Sequence, residues 1–275
     1  MFYAFKKNRN PFNSRVFNLS KPQSVEDEEK NYVYIQGDDI WAVLDEVLDT
    51  LNPYIYTQFA KMLCRKEDED SVKIVRELEQ AVADFGDAEA CLDYAQSIKG
   101  ANIQYLQKAL IQTKNPEKCY EFAKNVPGAD VEALSEAVYL YGRPSLWLEF
   151  AKNIPGANIT VFEHATGRYG SAYDCYKFLE NVPGADFDYM QGVILDKKDE
   201  LVCIDLVRNF KDKVDIEAVQ DVVAQSDNDS AKVVFSEITA LPSYEKLFKD
   251  SKSSKKKSAG QSRRVLEVEI DPELE

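Results

Sequence analysis

The chain has 275 residues, enough for one large domain or two small ones, and 44% of them are hydrophobic. Its apolar runs fall short of the roughly 18 residues that a membrane span requires, and its first residues lack the apolar core of a secretory signal. These features argue against a transmembrane protein and predict a soluble protein of the cytoplasm.

The net charge of −14 is unevenly distributed. Residues 1–21 and 251–264 contain basic residues and no acidic ones, whereas the last eleven residues contain five acids. The body between these ends is therefore more acidic than the chain as a whole. Such a body repels nucleic acid and membrane surfaces and favours a protein partner with a basic surface, so we expect nucleic acid to contact only the basic ends.

Residues 1–30 are predicted to form an irregular arm that is both basic and aromatic. The aromatic residues that alternate with its basic ones are Phe2, Tyr3, Phe5, Phe12 and Phe17. Such an arm can bind nucleic acid by stacking on bases and pairing with phosphates. It can also dock on the acidic body of its own chain, and we favour docking.

Residues 31–73 are predicted to form capping elements that are out of register with the repeats that follow them. Residues 31–35 favour a short strand. Asp38 and Asp39 precede a helix whose apolar residues follow helical spacing from Ile40 to Leu48, and a second helix is predicted from Tyr54 to Cys64. Terminal repeats of stacked architectures are often irregular in this way.

A six-residue turn motif recurs along the middle of the chain. It occurs as Val126-Pro127-Gly128-Ala129-Asp130-Val131, again at 154–159 and 182–187, and without the proline at 98–103, so that its glycines are 28 residues apart. The residue before a proline disfavours the α conformation, and glycine permits the positive φ that ends a helix. The Asp or Asn two residues later can cap the next helix. Each copy therefore predicts a helix end, a turn and a helix start.

A fixed period of this length is typical of stacked helical repeats. The regular units are 74–101, 102–129, 130–157 and 158–185, with looser copies at 186–214 and 215–242. We predict an all-α fold, a right-handed α-solenoid of stacked 28-residue helix-turn-helix repeats over residues 74–245. Residues 246–275, a Ser/Lys linker followed by an acidic tail, are predicted to be disordered.

Four of the five cysteines occupy one position of the repeat. They are Cys91, Cys119, Cys175 and Cys203, and Trp147 takes the same position in the remaining unit. Equivalent positions of stacked helices lie about 8–10 Å apart, beyond the roughly 7 Å between α-carbons that a disulfide bridges. We therefore predict free cysteines buried in the core, without a disulfide or a metal site.

The sequence contains few groups for catalysis. The one histidine, His164, falls at a repeat position occupied elsewhere by Gln80, Lys108 and Glu136, which indicates exposure to solvent. A Ser/His/Asp or Cys/His relay has no other histidine to use, and glycines spaced a whole repeat apart do not form a phosphate loop. We predict no catalytic residues, no cofactor and no enzymatic activity.

A polar column lies at the end of the second helix of each unit. Its members are Ser97, Asn125, Asn153, Asn181 and Asn209. A ladder of asparagines can bind an extended peptide backbone, but each can instead close its own helical turn or the adjacent Pro-Gly turn, and we favour this second interpretation. The candidates for partner binding are the four asparagines of this column together with Tyr105, Tyr139 and Tyr189.

The repeated core Phe-Ala-Lys-Asn-(Val/Ile)-Pro-Gly-Ala-(Asp/Asn) resembles that of short αα-solenoid repeats in bacterial, phage and large-virus proteins. The resemblance covers residues 74–214 and implies the architecture without an activity. The leading hypothesis is a non-enzymatic scaffold or adaptor that presents a tyrosine-rich acidic face to another protein. The alternatives are an inhibitor that mimics nucleic acid, and a phage or virus virion or assembly component.

Overall fold

The structure is a computed structural model that describes residues 2–6, 32–66 and 68–239. In these residues it contains two strands and fourteen helices, and neighbouring helices pack in succession as in an α-solenoid. No helix in this part of the chain is long and apolar enough to span a membrane. The fold class is therefore all-α as predicted, whereas the 28-residue repeat length and the handedness of the solenoid stay predictions. The predicted disordered segment 246–275 lies outside the described residues.

The strands are β1 (Phe2–Lys6) and β2 (Tyr32–Gln36). The helices are α1 (Ile40–Asp49), α2 (Pro53–Leu63), α3 (Glu69–Phe85), α4 (Ala88–Ser97), α5 (Ile103–Gln112), α6 (Pro116–Asn125), α7 (Val131–Tyr141), α8 (Pro144–Asn153), α9 (Ile159–Tyr169), α10 (Ala172–Asn181), α11 (Phe187–Asp196), α12 (Glu200–Phe210), α13 (Ile216–Gln225) and α14 (Asp229–Thr239). From α3 onward, odd-numbered helices are the first and even-numbered helices the second of each repeat. The chain divides into two compact units, residues 1–162 and 163–275, and the boundary falls within α9.

The predicted irregular arm is wrong for residues 2–6, which form β1 and pair antiparallel with β2. Tyr3 and Phe5 are buried beside Phe59 of α2, with ring centroids 5.7 Å and 5.9 Å from the centroid of Phe59. The strand forms because pairing satisfies its backbone groups while these two rings cover an apolar face. The start of the arm thus docks on its own chain, whereas Phe12 and Phe17 lie outside the described residues.

The capping helices begin where the sequence predicts. Asp39 caps α1, and its Oδ1 accepts hydrogen bonds from the N–H groups of Trp41 and Ala42, both at 2.9 Å. Asn52 caps α2, which has Pro53 in its first turn. α3 begins at Glu69, before the predicted unit boundary at residue 74, because the Asp68 side chain caps it by accepting from the Ser71 N–H at 2.8 Å.

The Pro-Gly turns adopt the predicted conformation. Helices α6, α8 and α10 end in cap residues Val126, Ile154 and Val182, which have extended backbones. The glycine of each turn has a positive φ, for example 81° at Gly128, which an L-residue rarely adopts. The next helix is then capped by the side chain of its N-cap residue, as where Asp130 accepts from the Ala133 N–H at 3.2 Å.

Two glycines between the helices of a repeat, Gly142 and Gly170, have a different role, whereas Gly86 in the aligned turn has a positive φ of 72°. Gly142 and Gly170 do not have a positive φ. A Cβ on Gly142 would lie 2.3 Å from the Val138 carbonyl oxygen, and one on Gly170 would lie 2.7 Å from that of Thr166. The glycines are required here because the backbone passes too close to the preceding helical turn for a side chain.

The predicted aromatic column forms the centre of the core. Tyr94, Phe122, Phe150 and Phe178 are fully buried, at 0% exposure each. Within the first unit, Phe150 packs against Phe162 of α9, with ring centroids 5.2 Å apart. One large ring is thus buried at the equivalent position of each of the helices α4, α6, α8 and α10.

Candidate interaction surface

Two of the candidate asparagines are used to join consecutive repeats. The Asn153 amide donates to the Tyr120 hydroxyl at 3.1 Å, and the Asn209 amide donates to the Tyr176 hydroxyl at 2.6 Å. In each case the tyrosine lies on the second helix of the preceding repeat. These asparagines therefore brace the stack, and their amide groups are already engaged within the chain.

The other two asparagines differ in their surroundings. The Asn181 amide donates to the Lys177 carbonyl oxygen at 2.9 Å and so closes the last turn of its own helix, as favoured above. Asn125 is exposed. In the preceding repeat, the position that holds Tyr120 or Tyr176 in the two pairs above is occupied by Leu92, which has no hydroxyl group to accept a hydrogen bond. The four asparagines are therefore identical in the sequence pattern but make different hydrogen bonds in the structure.

The three candidate tyrosines lie on first helices, whereas the asparagines lie on second helices. Tyr189 is half-buried and stacks on the exposed ring of His164, with centroids 4.5 Å apart. The Tyr105 hydroxyl donates to Asp84 Oδ1 at 3.4 Å, beside an open cleft of about 390 Å³. Tyr139 is half-buried. The seven candidates are therefore divided between two sets of helices.

Aromatic side chains that are more exposed than the three candidate tyrosines lie at or next to the turns that join the two helices of a repeat. We call Phe85, Tyr141, Tyr169 and Tyr173 the aromatic edge residues. Their exposures are 49%, 43%, 58% and 53%, with the first two in the first unit and the last two in the second. Sequence reasoning did not select them, although an aromatic residue precedes the glycine in each of the aligned turns 85–87, 141–143 and 169–171.

Cationic side chains lie over three of these rings. Lys114 Nζ is 5.8 Å from the centroid of Tyr141, and Lys177 Nζ is 5.5 Å from that of Tyr173. The Arg168 guanidinium is 5.3 Å from the centroid of Tyr169. Such contacts orient a ring while leaving its other face available.

The acidic residues of the second helices are interrupted by basic ones. Lys118 pairs with both Glu89 and Glu121, the latter at 2.7 Å. In the second unit Arg208 pairs with Asp205 at 3.2 Å. The carboxylates of these helices are therefore partly neutralised and do not form an unbroken acidic row.

A column of polar side chains on the first helices, three of them buried and the one at Gln191 half-buried, was missed by sequence reasoning. We call the side chains of Glu79, Gln107, Glu163 and Gln191 the polar clips, because each accepts from the backbone N–H of the N-cap residue of the next repeat. The Asn102 N–H donates to the Glu79 carboxylate, the Asp130 N–H to Gln107 Oε1 at 2.8 Å, the Asp186 N–H to Glu163 Oε1 at 2.5 Å, and the Asp215 N–H to Gln191 Oε1 at 2.8 Å. Polar residues recurring at 28-residue spacing on an otherwise apolar face were the available signal.

Two of the polar clips are glutamates and two are glutamines, and in one repeat a serine stands at the same position. Burial raises the pKa of Glu79 and of Glu163, although the backbone N–H that each accepts from acts in the opposite direction. Gln107 also donates to the Asp130 carbonyl oxygen at 3.1 Å, which a carboxylate cannot do. Ser135 occupies the same repeat position, but its hydroxyl donates a hydrogen bond to the Val131 carbonyl oxygen of its own helix at 2.7 Å.

The cysteine column is buried as predicted. Burial raises the pKa of Cys91, Cys119 and Cys203 to about 12 and that of Cys175 to about 11, so these thiols are held protonated at neutral pH. Trp147 takes the equivalent place and donates from Nε1 to the Val138 carbonyl oxygen at 3.0 Å. Over the described ranges, no group of three or more His, Cys, Asp or Glu residues is arranged to hold a metal ion.

The chain is thus a member of the α-solenoid class of helical proteins by its own architecture. No protein family model, curated protein or solved structure matches it.

Proposed function

We propose that this protein is a non-enzymatic scaffold of the cytoplasm that binds another protein through the aromatic edge residues. The observation that carries the proposal is the exposure of Phe85, Tyr141, Tyr169 and Tyr173, each of which leaves about half of its side chain accessible. Aromatic residues are enriched where proteins bind one another, because they bury a large area and have few rotatable bonds to immobilise.

The charge of the surroundings supports a partner with a basic surface. The chain carries a net charge of −14, which accelerates association with a basic protein and sets its orientation. The alternative of nucleic-acid mimicry requires carboxylates in continuous rows. The pairing of Lys118 with Glu89 and Glu121, and of Arg208 with Asp205, interrupts such rows and favours the scaffold.

The test compares two edge variants with a matched control. The edge variants are Phe85→Ser with Tyr141→Ser, and Tyr169→Ser with Tyr173→Ser. The control, Leu51→Ser with Val72→Ser, removes two exposed apolar side chains that lie away from the inter-helix turns of the repeats. All three should retain helical circular dichroism, because none of these positions is part of the buried core.

Affinity capture from the source cell with the unmodified chain identifies the bound protein, and calorimetry with that protein then measures each variant. We expect at least one edge variant to bind more than tenfold more weakly, about 1.4 kcal/mol, and the control to bind as the unmodified chain does. If both edge variants bind normally, the proposal is wrong. A captured nucleic-acid-binding protein that is displaced by DNA would instead support mimicry.

A further inference from the structure

An open cleft of about 390 Å³ lies between the C-terminal end of α3 and the side of α5. Asp84 and Gly86 line it at the end of α3, and Tyr105 and Lys108 line it from α5. The Tyr105 hydroxyl donates to Asp84 Oδ1 at 3.4 Å and so joins the two walls. The cleft lies within the first compact unit, and it adjoins the aromatic edge residue Phe85, which stands between Asp84 and Gly86 in the chain.

A single methyl group accounts for the position of the Tyr105 ring. Tyr189 holds the same repeat position in the second unit, and there a Cβ on Gly167 would lie 2.7 Å from the Tyr189 hydroxyl oxygen. The residue equivalent to Gly167 in the first unit is Ala83, whose methyl group excludes a ring placed as that of Tyr189 is. The Tyr105 side chain is therefore directed to Asp84 and stays 37% exposed.

The charges around the cleft favour a cation. Asp84 forms no ion pair with any residue in the described part of the chain, and Lys108 is exposed, so its ammonium group can remain in solvent. The α3 helix has 17 residues and no basic residue in its last turn, so the negative end of its dipole is not balanced there. Burial raises the pKa of Tyr105, and so do the charge and hydrogen bond of Asp84 and the charge of Glu79. Carboxylates therefore set the potential at the tyrosine hydroxyl.

We propose that this cleft receives an arginine side chain of the basic partner protein, with the guanidinium pairing with Asp84 and stacking on the exposed face of Tyr105. The inference rests on the proposed function, since it names the side chain that the partner places beside Phe85. Arginine fits the cleft better than lysine, because a planar guanidinium can donate two parallel hydrogen bonds to a carboxylate and stack on an aromatic ring at the same time.

The first experiment tests the cleft without the partner protein. N-acetyl-arginine amide is titrated into the full chain while the backbone amide signals are followed by NMR. N-acetyl-citrulline amide, which has nearly the same shape without the charge, is the matched control ligand. We expect the arginine compound to shift the signals of residues 84–86 and 105–113 and to saturate in the millimolar range. The citrulline compound should not saturate at those concentrations, because it cannot form the ion pair.

The variants Asp84→Asn and Asp196→Asn then distinguish the cleft from an ordinary surface carboxylate. Asp196 is an exposed aspartate at the same repeat position of α11, but Ala218 stands where the following repeat would have to supply the tyrosine. Asp84→Asn should weaken binding of the arginine compound about tenfold, and Asp196→Asn should leave it unchanged. With the captured partner, calorimetry should show a loss of about fivefold or more for Asp84→Asn and none for Asp196→Asn.

Two outcomes would overturn the inference. Equal shifts around Asp196 and around Asp84 would mean that the arginine compound pairs with any exposed carboxylate. Equal binding of the citrulline compound would mean that the cleft does not recognise the guanidinium charge. Both results are obtained without the partner and without the edge variants, so a failure of this inference and a failure of the proposed function can be told apart.

Discussion

Replacing Glu163 with glutamine should stabilise the protein at neutral pH. Glu163 is 3% exposed, and its carboxylate accepts from the Asp186 N–H at 2.5 Å. Burial raises its pKa, as does the negative charge of Asp186, whereas the Asp186 N–H and His164 lower it. Because the pKa is raised overall, the ionised form is less favourable in the folded chain than in the unfolded one. Glutamine keeps the acceptor and removes the buried charge.

The equivalent clip at Gln107 indicates the size of the gain. There the amide accepts at 2.8 Å and also donates to the Asp130 carbonyl oxygen at 3.1 Å. One additional hydrogen bond contributes about 0.5–1.5 kcal/mol, and relief of the buried charge outweighs the loss of a charge-assisted acceptor, because the pKa of Glu163 is raised. We therefore expect Glu163→Gln to raise the free energy of unfolding by about 1 kcal/mol at pH 7.

The difference between the variant and the unmodified chain should depend on pH. A carboxyl group whose folded pKa is raised contributes stability that is fully present below its unfolded pKa of about 4.3 and is lost as the pH rises through the folded value. The variant lacks this dependence, so its advantage should be small at pH 4 and grow towards pH 7.

Urea unfolding followed by circular dichroism at both pH values measures the effect. Gln107→Glu is the reverse control, since it places a carboxylate at an equivalent buried position, and it should be less stable than the unmodified chain at pH 7. The reasoning fails if Glu163→Gln loses about 1 kcal/mol or more at pH 7. It also fails if the difference does not change with pH.

Three other predictions can be checked by the same unfolding measurement. Phe150→Ala and Phe122→Ala should each cost about 3–5 kcal/mol, because both rings are fully buried; a loss below about 1 kcal/mol at both sites would contradict their placement. Asn153→Ala should cost about 0.5 kcal/mol more than Asn125→Ala, because only Asn153 reaches a tyrosine of the preceding repeat, and equal costs would contradict a bracing role. Gly192→Ala should stabilise the chain by about 0.5–1 kcal/mol, since Gly192 lies within α11 with open space around it, and a loss of stability would reveal a contact there.

The turns and the core could be predicted because their causes are local and periodic. The Pro-Gly turn acts within six residues, and the column of Phe122, Phe150 and Phe178 needs only helical spacing. β1 could not be predicted, because its partner β2 is about 30 residues away and its burial depends on Phe59 of α2. Local patterns do not indicate which distant segment a strand will meet.

The candidate surface was harder to predict than the fold for a related reason. A glutamate or glutamine on a helix is usually exposed, so Glu163 and Gln107 gave no local sign that they bind a backbone group 23 residues later. Asn153 and Asn125 look alike in the sequence and differ only because one faces a tyrosine. Tyr141 precedes a glycine in a turn that recurs in the sequence, but its exposure depends on how the surrounding helices pack.

The four buried cysteines can report how often the repeats that contain them open. Alkylating reagents attack the thiolate, so Cys91, Cys119, Cys175 and Cys203, buried and with raised pKa values, should react only while their own repeat is transiently open. Half-buried Cys64, outside the column, provides an internal comparison. Labelling rates resolved for each cysteine by mass spectrometry would therefore yield separate opening free energies for four repeats, without introducing a single probe into the protein.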